Sequence, residues 1–417
     1  MLNNEKVTES DLSECIYKQS MQQITGSHVL CIQDTTEINY RSHMGRLKKS
    51  DSDIGPVTNN KDGGGYCHPT LMVDAQSKTP LGFSHIKLWN RSWDKLGKRA
   101  RNYSTLEIES KESYRWIESA LESEKRLPAG VTQTIVADRE CDIYQALHKI
   151  PGSRSHLLIR SSHNRRLETE NVHLLEKMRS LPSTHTYELS VKGNHSRKNR
   201  TTTLNLRYGK VSVLKPENLK EDYPESISVY CIYVVEDIEK VPVNEKPIEW
   251  RLLTTHHIES PEDAMQCIEW YKARWYIEEI FRLVKSDGMD VESAQLESGK
   301  SLKKLVLLSL ISAWHIMALK LSYDRVDEEN LATIIFNDQQ MELLGILCPA
   351  LEGKTEKQKN PYKKRTCVWA AWIIARLGGW TGYQSQAKPG YITFAEGYRD
   401  FLSKYEALRI FKNVYRE

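Results

Sequence analysis

The strongest constraint on the fold is a series of short apolar runs, most of them bounded by turn residues, within the first 160 residues. HVLCIQ at 28–33 ends abruptly at Asp34, and TIVA at 134–137 ends at Asp138. Gly63, Gly64 and Gly65 introduce a run at 66–73, Pro80 and Gly82 introduce another at 83–88, and 156–159 is a fifth. Runs of this length bounded by Gly, Pro and Asp read as strands. Residues 106–124 carry a helical period, with Ile108, Trp116, Ile117 and Leu121 at candidate core positions, and 142–150 read as a second helix. Three strands, a helix, a strand, a helix and a strand pack most naturally as a mixed sheet with helices on its faces, an α/β arrangement.

Beyond residue 160 the character changes. THTYELSV, TTTLNLRYG, ISVYCIYVV and WRLLTT, between 184 and 255, alternate with strand period and predict a β-rich insertion, bounded at about 165–258. One long helix is expected from about Pro261, suited to a first turn, to Lys285. The remainder to 417 reads as helical. Its most apolar stretch, 305–321, is interrupted by His315 and is shorter than the ~20 residues of a membrane span, so a buried core helix is expected and no membrane. Residues 1–27 read as a polar, helical lead-in. This divides the chain into 1–27, a 28–300 unit with its insertion, and a 301–417 helical region. The eight cysteines form no C-x-x-C pair and sit in apolar runs, which predicts a reduced, cytoplasmic protein without structural zinc.

Net charge decides little until it is located. The whole chain has 59 Lys and Arg against 55 Asp and Glu. Residues 151–210 alone have 12 against 4, a net of +8, so the rest is net acidic. Arg160, His163, Arg165 and Arg166, then Lys192, Arg197, Lys198 and Arg200, carry this excess, which suits phosphate contacts.

Asp34 and Asp138 each follow an apolar strand, at the edge where sheets flanked by helices build their sites. Asp after a strand is also an ordinary turn residue. The third element shifts the balance. Tyr271, Arg274, Glu278 and Lys285, spaced i, i+3, i+7 and i+14, share an arc of about 60° on one helix. Asp34, Asp138 and Glu278 together could act as catalytic carboxylates holding two Mg²⁺ ions, for which Mn²⁺ can substitute, and so run an in-line phosphoryl transfer. Arg274 and Lys285 would hold phosphates beside them.

With these residues in place the sequence resembles the bacterial cut-and-paste DDE transposases of the insertion-sequence-four group, from about residue 25 onward. The Y-x2-R-x3-E-x6-K pattern is met by Tyr271, Arg274, Glu278 and Lys285; IQDTTEINY carries Asp34, VADRECDIYQAL carries Asp138, and WAAWIIARLGGWTGY matches the C-terminal region. The resemblance implies a ribonuclease-H-like catalytic fold with a β-rich insertion, double-stranded DNA as partner, a homodimer in the DNA complex, and a place at the bacterial nucleoid. It implies end nicking, hairpin formation and opening, and strand transfer. It assigns Arg139 and Arg160 to DNA, Trp250 to stacking a flipped base, and Trp275 to the vacated space. Only 33 residues precede Asp34, so most of the family's end-recognition domain is expected to be missing. A dimerising inhibitor of a full-length relative and a structure-specific nuclease are the alternatives. A glycosidase would also use paired carboxylates, but the basic patch favours phosphate over sugar.

Overall fold

The computed structural model describes residues 1–417 apart from 48–49, 94–105, 169–171, 194–197, 220–221, 384–385 and 415–417. Arg197 of the basic patch lies outside the described residues. After helix α1 (Glu9–Met21) come β1 (His28–Gln33), β2 (Thr36–Asn39), β3 (Gly55–Pro56), β4 (Gly63–Asp74) and β5 (Pro80–Trp89). Helix α2 (Tyr114–Arg126), β6 (Thr132–Ala137), α3 (Tyr144–Lys149), β7 (Ser155–Arg160) and α4 (Leu174–Ser180) follow. Ile108 falls in a separate 3₁₀ turn, so the single helix expected over 106–124 is divided, although Ile108, Trp116 and Ile117 are all buried.

Strands β8 (His185–Val191), β9 (Arg200–Leu214), β10 (Ser226–Glu236) and β11 (Glu249–Thr254) come from the β-rich stretch. They extend the same sheet, because β11 pairs antiparallel with β7. The main path of the 11-stranded sheet runs β2-β4-β1-β6-β7-β11-β10-β9-β8, with β3 and β5 also pairing β4. Among the described residues only β1/β6 and β6/β7 are parallel. The result is a mixed sheet flanked by helices, with a β-rich region and a C-terminal helical region.

Alternation along these strands sorts the core into two layers. Leu30, Ile32, Val136, Leu158, Ile232 and Leu252 face one side; Cys31, Ile135, Ala137, Leu157, Cys231 and Leu253 face the other. The second side is covered by α2, α3 and α4. The first is covered by α1, α5 (Pro261–Lys272), α6 (Trp275–Arg282), α7 (Gly299–Arg325), α8 (Asp338–Leu351), α9 (Cys367–Leu377) and α10 (Tyr391–Val414). Gly82, at φ 109°, lets β5 approach α1 closely, and its neighbour Phe83 donates its N–H to Ser20 Oγ at 2.9 Å.

Two helical expectations change. The apolar stretch around 305–321 belongs to the 27-residue α7. Among the described residues α7 alone is long and apolar enough to cross a membrane, but 67% of its apolar window is buried inside the protein. The long helix from Pro261 is broken. It starts as expected, with Pro261 in the first turn and a Ser260–Asp263 capping box. It then tightens at Ala273 and Arg274, whose N–H groups donate three residues back to Trp270 and Tyr271, and it ends in a π-helical turn at Leu283–Asp287. Tyr271, Arg274, Glu278 and Lys285 therefore do not share one continuous helical arc.

Candidate functional site

Pairing in β1, β6 and β7 matches Ile32 with Val136 and Val136 with Leu158, all on the face covered by α5 and α6. Carrying the alternation two residues further brings Asp34, Asp138 and Arg160 onto that face at the strand ends, on strands spaced about 4.8 Å apart. Asp138 is extended and caps the 3₁₀ turn Arg139–Cys141, accepting from the Glu140 N–H at 2.9 Å.

The carboxyl of Asp34 is raised to about 6, first by burial. The Thr35 N–H, at 2.7 Å, and Arg274 work against this, while Asp138 and Glu278 add to it. Arg274 reaches the strand ends from the helix break. Its guanidinium donates to Asp34 Oδ2 at 3.1 Å and, through its other terminal nitrogen, to Glu278 Oε1. An arginine thus bridges two of the three carboxylates.

A second group of cations stands beside this bridge. Arg160 is half-buried and Arg139 exposed, and among the described residues neither makes an ion pair. Burial lowers the pKa of Arg160, Arg139 and Arg274 lower it further, and Tyr271 and Asp138 act in the opposite direction. Tyr271 is pushed up to about 12 by burial, with Arg274 and Arg160 pulling the other way. Three guanidiniums and a phenol therefore converge at the edge carrying Asp34 and Asp138.

The other sequence-derived residues scatter around this edge. His163 is exposed, and its N–H donates to Asp142 Oδ2 at 3.0 Å. Arg165 is buried, with its guanidinium on Asp142 at 2.6 Å, so it is placed to hold the loop rather than to meet a phosphate. Lys285 sits in the π turn, 3.8 Å from Glu292. Trp250 shares its strand face with Leu252 and packs against the α5–α10 side of the core, opposite Val234. Trp275 is 57% exposed, and its indole N–H donates to Glu279 Oε1 at 3.0 Å.

Three residues that matter here were not singled out from the sequence. Arg115, on α2, donates to Thr35 Oγ1 at 2.7 Å and to Glu140 at 2.5 Å, linking the two aspartate-bearing turns. Thr35 also bonds the buried His68 at 2.9 Å. Asp142 is fully buried, and it accepts from the Ser162 and His163 amides and from Arg165. Burial works to raise its carboxyl, but Arg165 and these amides hold it below the usual carboxylate range. The only local signal was a third acid within DRECD.

The geometry corrects the metal expectation. Among the described residues no group of three or more His, Cys, Asp or Glu side chains could hold a metal ion. The physical reason at Asp34, Asp138 and Glu278 is the guanidinium of Arg274, which bonds Asp34 and Glu278 at once and occupies an oxygen of each. No protein-family model matches the chain. The two-Mg²⁺ or Mn²⁺ site, the catalytic and metal-binding roles of these three residues, and the DDE transposase reading are therefore set aside. The nuclease and transposase-inhibitor alternatives derived from that reading go with it.

Proposed function

We propose that the chain is a nucleic-acid-binding protein that holds the backbone of double-stranded DNA along the carboxyl ends of β1, β6 and β7. One observation carries this reading. Arg160 is half-buried, makes no ion pair among the described residues, and lies beside Arg139 and Arg274, with Asp138 the carboxylate close enough to act on it. Arg274 is already engaged by Asp34 and Glu278, whereas Arg139 and Arg160 stand outside ion pairs with Asp138 as the opposing acid, and guanidinium pairs well with phosphate. Within the +8 stretch of residues 151–210, Arg160 is the cation at this edge; Arg154 lies at the other end of β7, and Arg165, Arg179 and Arg200 pair with Asp142, Glu249 and Glu236. The carboxylates Asp34 and Glu278 hold Arg274 in position and limit its contribution, so Arg139 and Arg160 are the principal phosphate contacts, with Tyr271 beside them.

A ribonuclease-H-like architecture is the finer form of the fold that we propose. It is supported by β5, β4 and β1 pairing antiparallel, followed by β6 and β7 parallel to β1, with helices on both faces.

Fluorescence anisotropy of a labelled duplex tests the binding role. Binding should weaken steeply with salt, and each of Arg139→Ala and Arg160→Ala should reduce the log–log salt slope by about 0.9. A chain that does not bind duplex at low salt, or variants that retain the full slope, would remove the proposal.

A further inference from the structure

A second concave site adjoins the cationic edge. It is a cleft of about 890 Å³ between the start of α3, the loop after β7 and the end of β9. Small-molecule sites span ~300–1,000 Å³, so it is large enough for one ligand of nucleotide size. Asp142 lines it, and the Asp142 N–H donates to the Arg139 carbonyl at 3.2 Å, so the cleft and the strand-end site share one turn.

Its lining combines three chemistries. Ile143, Leu214, Pro216 and Leu219 give apolar walls. Gln145 is only 8% exposed as a residue, and its side-chain amide, which makes no hydrogen bond among the described residues, is open to the solvent of the cleft. That amide offers a ligand one donor pair and one acceptor at the base of the cleft. His163, Arg166 and Lys215 form a basic rim. Arg166 pairs with Glu217 and Lys215 with Glu225, each at 2.6 Å, but those glutamates are 86% and 84% exposed. Pairs so exposed are weak, and a phosphate can replace the carboxylate.

We infer that this cleft binds a single nucleotide, its base between the apolar walls and hydrogen-bonded by Gln145, its phosphate on the Arg166 and Lys215 rim. The ligand class deepens the nucleic-acid reading and rests on it. The same chemistry is presented by a free nucleoside monophosphate and by an unpaired nucleotide at the end of a bound strand.

Two titrations of the full chain test this. The first uses a fluorescently labelled deoxynucleoside monophosphate. The second compares a blunt duplex with one carrying a single-stranded overhang. Saturable monophosphate binding, weakened roughly tenfold by Gln145→Ala and severalfold by Arg166→Ala, supports a free-nucleotide ligand. Tighter binding of the overhang duplex, with the preference lost in Gln145→Ala, supports the strand-end ligand. If neither the monophosphate binds nor the overhang is preferred, or if both responses survive Gln145→Ala and Arg166→Ala unchanged, the inference is overturned. Failure here with Arg139- and Arg160-dependent duplex binding intact would leave the broader reading standing. Monophosphate binding without any duplex binding would do the reverse.

Discussion

The same three strands end in opposite chemistries. At their carboxyl ends β1, β6 and β7 present Asp34, Asp138 and Arg160, with Arg274 and Tyr271 reaching in from the helix break. At the other end, His28, His156 and His256 gather around Thr134 and Trp270. His156 and His256 stack with centroids 4.0 Å apart, and the Thr134 hydroxyl meets His28 Nε2 at 2.8 Å and His256 Nε2 at 2.7 Å. Both ends are partly buried, but they handle charge differently. Burial holds the imidazoles neutral, at about 4 for His28 and about 3 for His256. The carboxyl end sets acids and guanidiniums side by side and joins only some of them in ion pairs. An end that has removed its charge is suited to packing, whereas an end where Arg139 and Arg160 stand outside ion pairs, opposed by Asp138, has guanidiniums to offer an anion.

The largest expected effect tests whether buried charge near the cationic edge is structural when fully paired. Asp142→Ala leaves Arg165 buried without its carboxylate and strips two loop amides of their acceptor. Denaturant unfolding should show a loss of about 3–5 kcal/mol. A loss below about 1 kcal/mol would mean that this loop is not held by the pair.

The histidine end should show itself in acid. Folded His28 and His256 stay neutral below 6.5, while the unfolded chain takes up protons from about 6.5 downward. Stability should therefore fall as pH drops from about 6.5 towards 4 and 3, by on the order of 2 kcal/mol for a group like His256. Thermal unfolding of His256→Gln should be less pH-sensitive across that window. Equal sensitivity would place the titrating groups elsewhere.

A smaller effect sharpens the account of the carboxyl end. Because Arg274 lowers the Asp34 carboxyl against burial, Arg274→Gln should move it above its present value of about 6. Carboxyl-carbon NMR titration reads this directly, and an unchanged or lowered value would mean that the bridge does not control Asp34.

The sequence shows one end of the sheet far better than the other. β1, β6 and β7 are visible because short apolar runs stop at polar residues, and the alternation within each run fixes which way Asp34, Asp138 and Arg160 face. The histidines were not legible as a group. They lie at 28, 156 and 256, and only the parallel register and the β7–β11 pairing bring them together. The break at Ala273–Arg274 was hidden because every residue from Trp270 to Ile277 is acceptable in a helix. It is fixed by tertiary contacts, Arg274 meeting Asp34 across 240 positions. Charge type was visible at Glu278, but charge balance was not. Spacing showed three carboxylates of a kind that can bind metal, and only the fold shows that an arginine joins two of them. Strand period likewise revealed β8–β11 without showing that they extend the same sheet.

The central claim is that the carboxyl ends of β1, β6 and β7 hold DNA phosphates through Arg139 and Arg160, while the histidine end takes no part. Its most direct test is the salt dependence of duplex binding by the wild type, the Arg139→Ala/Arg160→Ala double variant and His156→Gln. The account predicts that the double variant loses about 1.8 from the log–log salt slope and that His156→Gln matches the wild type. A double variant with the wild-type slope, or a His156→Gln chain with the larger loss, would contradict it.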